Sequence, residues 1–414
     1  MLALRYHYSI PRYALAKVLG YLWPRRFFPG LAPVKLEQVS FSSPNPDWIV
    51  LRSRLCGICG SDLNLIKGAE SYLLEPYASF PAVLGHEVVA EVMEAPVDTE
   101  WRPGDRVVVD PLLSCQARGL PPCSFCSQGR YNLCENFTRG GLAPGVNIGF
   151  HRQVGGGMAE YLAAPPFNLI RVPESLADEA AVLTDSLASA LYPLLENFPP
   201  DRATVVIYGA GIIGQHLIRL VRTLGSGARL VAVARYPFQK ELARAGGADL
   251  VLIKPSRREL GEAVGATFLP TTLGGGNLEG GADFYFDCVG SRESLQEGLL
   301  ALRGQGTYVL VGTAGRVRGV DLSSLWFREL RLTGSLMYAY NHFQGQRGRT
   351  YQLAVDLLAR GDYPLQGLLT HILPLKDYGQ AFKVAFNKSP YRCVKVALDL
   401  REVGRERESR GDRP

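Results

Sequence analysis

The chain has 414 residues, too many for one small domain, and the expectation is two or three. Apolar residues make up 47% and charged residues 20%, so core burial can offset chain entropy and disorder as the main state is excluded. The net charge of +6 is matched by residues 1–35 alone, where Arg5, Arg12, Lys17, Arg25, Arg26 and Lys35 meet no acid; the balanced remainder offers no basic groove for nucleic acid.

The first element in chain order is helical, with Leu15, Val18, Leu19 and Leu22 at helical spacing and Pro24 as its stop. From about 36 to 165 short β-rich runs follow, such as Trp48–Leu51 and Val107–Val109, the latter just after the turn Pro103-Gly-Asp105. From about 187 to 336 apolar strands (Thr204–Tyr208, Leu230–Val233, Thr307–Val311) alternate with helical segments, which predicts a parallel sheet with helices on both faces. A helical stretch around Tyr351–Arg360 and a closing strand at Lys395–Leu398 come next. The last fourteen residues alternate arginine with acid and are expected to be disordered. No charge-free apolar run reaches about 18 residues, and no secretory signal is visible, so the expected compartment is the cytoplasm.

Gly209-Ala-Gly211-Ile-Ile-Gly214 follows a strand and opens a helix, Gln215–Leu224. In that setting the first glycine allows a tight turn, the second admits a pyrophosphate against the backbone, and the third lets helix and strand pack closely. The alternative is a glycine turn with no ligand. Six of the eight cysteines fall between Cys56 and Cys134, which points to metal or redox chemistry. Cys115, Cys123, Cys126 and Cys134, spaced C-x7-C-x2-C-x7-C, suit a closed tetrahedral thiolate site for a structural zinc, against disulfides or free thiols. Cys59, His86 and Asp185 offer a thiolate, an imidazole and a carboxylate, leaving a fourth position for water or substrate, although spacing alone cannot bring them together.

The strings Cys56-Gly-Ile-Cys-Gly-Ser-Asp-Leu63, Gly85-His-Glu87, Pro103-Gly-Asp-Arg-Val107 and Gly129-Arg-Tyr-Asn-Leu-Cys134, followed by the glycine fingerprint, resemble the zinc-dependent alcohol dehydrogenases of the medium-chain dehydrogenase/reductase superfamily over residues 36–400. The resemblance implies an α/β plus β-rich chain in which a discontinuous GroES-like catalytic domain (36–186 with a structural zinc lobe, and 337–400) carries an inserted Rossmann domain (187–336). Residues 1–35 are then an atypical extension and 401–414 a tail. It implies Cys59, His86 and Asp185 as ligands of a catalytic zinc, Glu87 as a neighbour able to approach the metal, Asp62 as the carboxylate holding the histidine, Ser61 as the hydroxyl that takes the substrate proton, and a homodimer or homotetramer. Three departures stand out. Seven residues, rather than two, separate Cys115 from Cys123, Asn64 stands where the family often has the histidine ending a proton relay, and residues 11–33 look inserted. His151 is a candidate substitute base, against a solvent-exposed loop histidine.

The function expected is reversible hydride transfer between an alcohol and a nicotinamide dinucleotide, with two zincs per chain. Ala234 and Arg235 stand at the end of the second strand, where NAD enzymes of the family carry aspartate. NADP is therefore expected, against a reading in which Arg235 faces solvent or stacks on adenine and NAD is used. The rival functions are a non-catalytic dinucleotide-binding or membrane-peripheral protein that keeps the fold, and a zinc-free quinone reductase. Residues 11–33 are expected as an amphipathic segment docked on the body or lidding the active site. The competing reading is an interfacial anchor with Trp23, Phe27 and Phe28 at a headgroup boundary and Arg25 and Arg26 against anionic lipid.

Overall fold

The computed structural model describes residues 1–402 apart from 24, 25, 29, 314 and 344. The expected tail from 403 onward, and the roles given to Pro24 and Arg25, lie outside the described residues. The chain divides into two compact units, one made of Met1–Asp185, Tyr351–Leu365 and Leu369–Pro414, the other of Ser186–Thr350 and Gln366–Leu368. The observed crossing back to the first unit comes after Thr350, later than the expected 336, because a hairpin of Tyr340–Phe343 with Gln346–Arg349 belongs to the second unit.

The first unit is β-rich. Its larger sheet runs in the order Leu369–Pro374, Lys395–Asp399, Ile49–Gly57, Glu87–Glu94, Arg106–Val109, Leu169–Arg171, with Tyr161–Ala164 also paired to Ile49–Gly57. Two of these strands follow the second unit in sequence, so the domain is discontinuous in the sheet itself. Only the pair Leu369–Pro374 and Lys395–Asp399 is parallel; the other pairings are antiparallel. Leu51, Val88, Val107, Leu162 and Leu398 share its core. A smaller antiparallel sheet places Leu2–Tyr6 between Val34–Gln38 and Ala82–Val83. Ala3, Leu4 and Tyr6 are buried there, so the first residues are an integral part of the first unit rather than an appendage. Helix α1 (Ile10–Leu22) forms at the expected leucine spacing and packs on helix α2 (Gly60–Lys67). Phe27, which only the competing reading set at a lipid boundary, packs on Phe382 and Phe386 at ring distances of 5.2 and 5.8 Å, as a segment docked on the body would. An aromatic side chain with two ring partners inside the protein is not available to a bilayer, so Phe27 drops out of the competing reading.

In the second unit six parallel strands, β1 (Thr204–Tyr208), β2 (Arg229–Ala234), β3 (Leu250–Ile253), β4 (Ala282–Asp287), β5 (Leu302–Leu310) and β6 (Arg331–Gly334), lie in the order 3-2-1-4-5-6. That order reverses direction between β1 and β4, the crevice where doubly wound sheets bind dinucleotides. Val206 and Val231 from the sheet and Leu260 and Leu299 from its helices form the core, with stacked Tyr285 and Tyr308.

Candidate functional site

The glycine fingerprint sits where β1 ends and helix α4 (Ile212–Thr223) begins, with Gly211 as the helix N-cap. Gly209 has φ of 103°, open to glycine but strained for other residues, and a Cβ there would lie 2.5 Å from Val289 Cγ2. A Cβ at Gly214 would lie 2.0 Å from the Gly209 carbonyl oxygen, so helix and turn can only meet at glycine. At Gly211 a Cβ would meet nothing within 4 Å. The open space lies before free N–H groups at the positive end of a helix, an arrangement that favours phosphate. At the end of β2, Ala234 is buried and Arg235 exposed, its guanidinium 5.6 Å from the Tyr236 ring. The turn there is tied by Gln239, whose Oε1 accepts from the N–H groups of Arg235 (3.1 Å) and Tyr236 (3.3 Å).

The four loop cysteines of the first unit converge, with one sulfur of each within 4.8 Å of all the others. None is in a disulfide. Cys115, the residue its spacing put in question, is 3.5 Å from Cys134 Sγ and accepts from the Cys123 N–H (3.3 Å) and from Asn136 Nδ2 (3.2 Å). The Glu135 N–H donates to Cys123 Sγ and the Asn136 N–H to Cys134 Sγ. N–H groups aimed at sulfur stabilise thiolate rather than thiol. Burial still pushes Cys134 up to about 11, so four thiolates here require a cation. The long Gln116–Pro122 insert is closed by Arg118, which sequence reading passed over. Its guanidinium is buried and donates to the carbonyls of Leu113, Arg139, Leu142, Ala143 and Gly145.

The second constellation starts at α2, whose N-cap is Cys59. Asp62 in its first turn is fully buried and accepts from the Cys59 N–H at 2.9 Å through Oδ2, while Oδ1 stands 3.8 Å from His86 Nδ1. Ligand atoms of Cys59, His86 and Glu87 all lie within 4.8 Å of one another. Asp185, buried in the first turn of helix α3 (Thr184–Glu196), falls outside that set, but its negative charge helps raise the His86 pKa. Burial alone would lower that pKa; the charges of Cys59, Asp62 and Asp185 outweigh it and push it up to about 10. A buried ring ringed by anions marks a place built for positive charge. Glu87, also buried, is ion-paired with Lys395 from the closing strand. A Cβ on Gly57 would lie 2.0 Å from Glu87 Oε2, so glycine at 57 leaves the carboxylate its room. Lys395 was missed, although a single charge inside the apolar run Cys393–Leu398 was a visible signal.

Ser61 and Asn64 are half-buried on α2. His151 fits neither expectation made for it. It is fully buried, Nε2 bonds the Ala143 carbonyl at 2.7 Å, and Nδ1 accepts from the N–H groups of Gln153 and Val154. Burial drops its pKa to about 4. With Nε2–H donated to a carbonyl and Nδ1 accepting from two N–H groups, the neutral ring staples a loop and has no nitrogen free to act as a base.

Thiol, imidazole and carboxylate together suit zinc, and the sulfur cluster suits a closed zinc site. Residues 45–174 match the alcohol dehydrogenase GroES-like domain, and residues 213–360 match the zinc-binding dehydrogenase family. The chain belongs to the zinc-dependent alcohol dehydrogenases. This dehydrogenase is an oxidoreductase of the medium-chain superfamily, exchanging hydride between an alcohol or its carbonyl and a nicotinamide dinucleotide. It is 27% identical to the erythritol/L-threitol dehydrogenase of Mycolicibacterium smegmatis, over 88% of this chain and 94% of that one. It is 25% identical to the D-arabitol-phosphate dehydrogenase of Enterococcus avium, over 86% and 91%. A candidate zinc-binding dehydrogenase of Sinorhizobium meliloti 1021, solved bound to NADP, superposes with a TM-score of 0.70 at 26% identity, covering 96% of this chain and 98% of that one.

Proposed function

We propose that this dehydrogenase interconverts a polyol and its keto or aldehydo form with NADP(H), at a zinc held by Cys59, His86 and Asp185, and that Cys115, Cys123, Cys126 and Cys134 hold a second, structural zinc. The observation that carries the reading is the convergence of Cys59, His86 and Glu87 among buried anionic groups, with Asp185 near enough for its charge to act on His86. Charge decides between the two carboxylates. Glu87 is already neutralised by Lys395, so Cys59 and Asp185 supply the two negative charges that a divalent ion needs. Zinc, when bound, supplies Lewis acidity at the substrate oxygen.

The chain's own residues do the rest. Asp62, with Oδ1 3.8 Å from His86 Nδ1, stands where a carboxylate can orient a ligand imidazole. Ser61, two residues beyond Cys59, takes the substrate proton. Asn64 cannot titrate near neutral pH, so the proton leaves Ser61 through water. Gly211 would leave the backbone open to a pyrophosphate, and Arg235 would pair with a ribose 2′-phosphate, with no acid before Glu241 to repel it. The polyol class is supported by the two named relatives, and NADP by the coenzyme of the Sinorhizobium protein. All eight cysteines are free, which favours a reducing compartment such as the cytoplasm. Assembly as a homodimer or homotetramer belongs to the same reading and is measured by light scattering.

The experiment is a coenzyme-coupled screen of the zinc-replete chain against polyols, polyol phosphates and simple alcohols. Turnover with a polyol and NADP supports the reading. Turnover confined to simple monohydric alcohols removes the substrate class.

A further inference from the structure

Helix α1 is built inside out for a surface helix. Its packed side is small or tethered: Ala16 is buried, a Cβ on Gly20 would lie 3.3 Å from the Lys67 carbonyl oxygen, and the Tyr13 hydroxyl donates to the Gly68 carbonyl at 3.3 Å. That side sits on the end of α2. At 3.6 residues per turn, positions 10, 11, 14, 15, 18, 21 and 22 share the opposite half, and none carries a charge. A helix covering a soluble protein turns its polar face to water. Here Val18 is 55% exposed and Tyr21 86%, with Ile10, Leu15, Leu22 and Trp23 exposed beside them. The apolar surface continues onto the 3-10 turn Tyr72–Tyr77, where Leu73 is 84% exposed and Tyr72, Leu74 and Tyr77 are also exposed. The two segments are joined, since Lys17 Nζ donates to the Tyr72 hydroxyl at 2.6 Å and the Tyr8 hydroxyl reaches Glu75 at 3.4 Å.

Charge identifies the occupant. The cations of α1, Arg12 and Lys17, lie on the two flanks of the apolar half, and the helix holds no acid. Beside α1 a shallow apolar groove runs between Leu19, Phe28 and Leu31, with Arg26 and Lys67 among its lining residues. The turn adds one exposed acid, Glu75, which accepts from the Tyr8 hydroxyl, so Arg12, Lys17, Arg26 and Lys67 still leave the region net positive, and a second copy docked through the same face by two-fold symmetry would set that excess against its equal. An anionic bilayer meets the apolar half with acyl chains and both flanks with headgroup charge.

We infer that α1 and the Tyr72–Tyr77 turn form a peripheral membrane-binding face that rests on anionic lipid. No helix among the described residues is long and apolar enough to cross a membrane, so the attachment is superficial and reversible. The inference rests on this face alone and stands apart from the choice of substrate or coenzyme.

The test is co-sedimentation of the full chain with phosphatidylcholine vesicles, with and without phosphatidylglycerol, at low and high salt. We expect binding to the anionic vesicles at low salt, a blue shift of Trp23 emission that disappears in Trp23→Phe, and loss of binding at high salt. Arg12→Gln and Lys17→Gln should each weaken binding about fivefold. The double variant Val18→Glu/Leu22→Glu should lose binding while keeping its melting temperature, since both side chains already face water. Absence of sedimentation with anionic vesicles, or binding unchanged in the double variant, overturns the inference. So does light scattering in which the wild-type chain is an oligomer that the double variant dissolves, because the face then belongs to a second copy.

Discussion

Lys395→Met probes the pair that keeps Glu87 in check. Both side chains are almost wholly buried, 3% and 2% exposed, and their charged ends are in contact. At an effective dielectric constant of 20, unit charges at about 4 Å attract by about 4 kcal/mol. Removing one partner of such a pair costs about 3–5 kcal/mol, because the other charge is left without compensation. Methionine keeps most of the lysine's apolar length, so the effect is electrostatic and not a cavity. Glu87→Gln in the same chain removes the orphaned charge and should recover most of the loss. Urea unfolding of the four members of this cycle, followed by fluorescence and far-ultraviolet circular dichroism, reads the coupling directly. A loss below about 1 kcal/mol in Lys395→Met, or a double variant no better than the sum of the singles, refutes the pairing as the reason for the buried lysine.

Ser61→Ala should lower kcat by about 10²–10⁴-fold, as for other proton-transfer groups, with Asn64→Ala far milder; the reverse ranking, read from steady-state kinetics, would refute the relay through Ser61. His151 is held neutral, with a folded pKa of about 4 against an unfolded value near 6.5. Its contribution to stability is therefore full above about pH 6.5 and is lost as the pH falls toward 4, and His151→Gln should flatten that part of the stability–pH curve. An unchanged curve would mean the ring is free to protonate in place. Arg235→Ala should raise KM for NADP(H) with little change for NAD(H); equal kcat/KM for both coenzymes in the unmutated chain would falsify the coenzyme assignment.

The parallel sheet was readable because buried strands such as Thr204–Tyr208 are continuous apolar runs, and the fingerprint was readable because Gly209, Gly211 and Gly214 answer local backbone demands. The leucine spacing of α1 likewise depends only on neighbours in sequence. What could not be read depends on contacts far apart in the chain. Leu2–Tyr6 is a strand because Val34–Gln38 and Ala82–Val83 flank it. Phe27 faces inward because Phe382 and Phe386 come to meet it. His151, polar and in a loop, reads as exposed, yet the Ala143 carbonyl and two N–H groups make its burial tolerable. At the metal sites, residue types were legible and geometry was not. The seven-residue gap after Cys115 is closed by Arg118, reaching carbonyls up to 27 positions away, and Glu87 joins Cys59 and His86 where Gly57 leaves it space.

Zinc content measured together with NADP-dependent turnover in Cys59→Ser and Cys134→Ser tests the division of the chain into a catalytic and a structural site. The account predicts two zincs per wild-type chain. Cys59→Ser should be inactive, keep the melting temperature and retain the zinc of the sulfur cluster, whereas Cys134→Ser should lose that zinc and the stability of its lobe. Equal loss of stability in the two variants, or turnover surviving in Cys59→Ser, would contradict it.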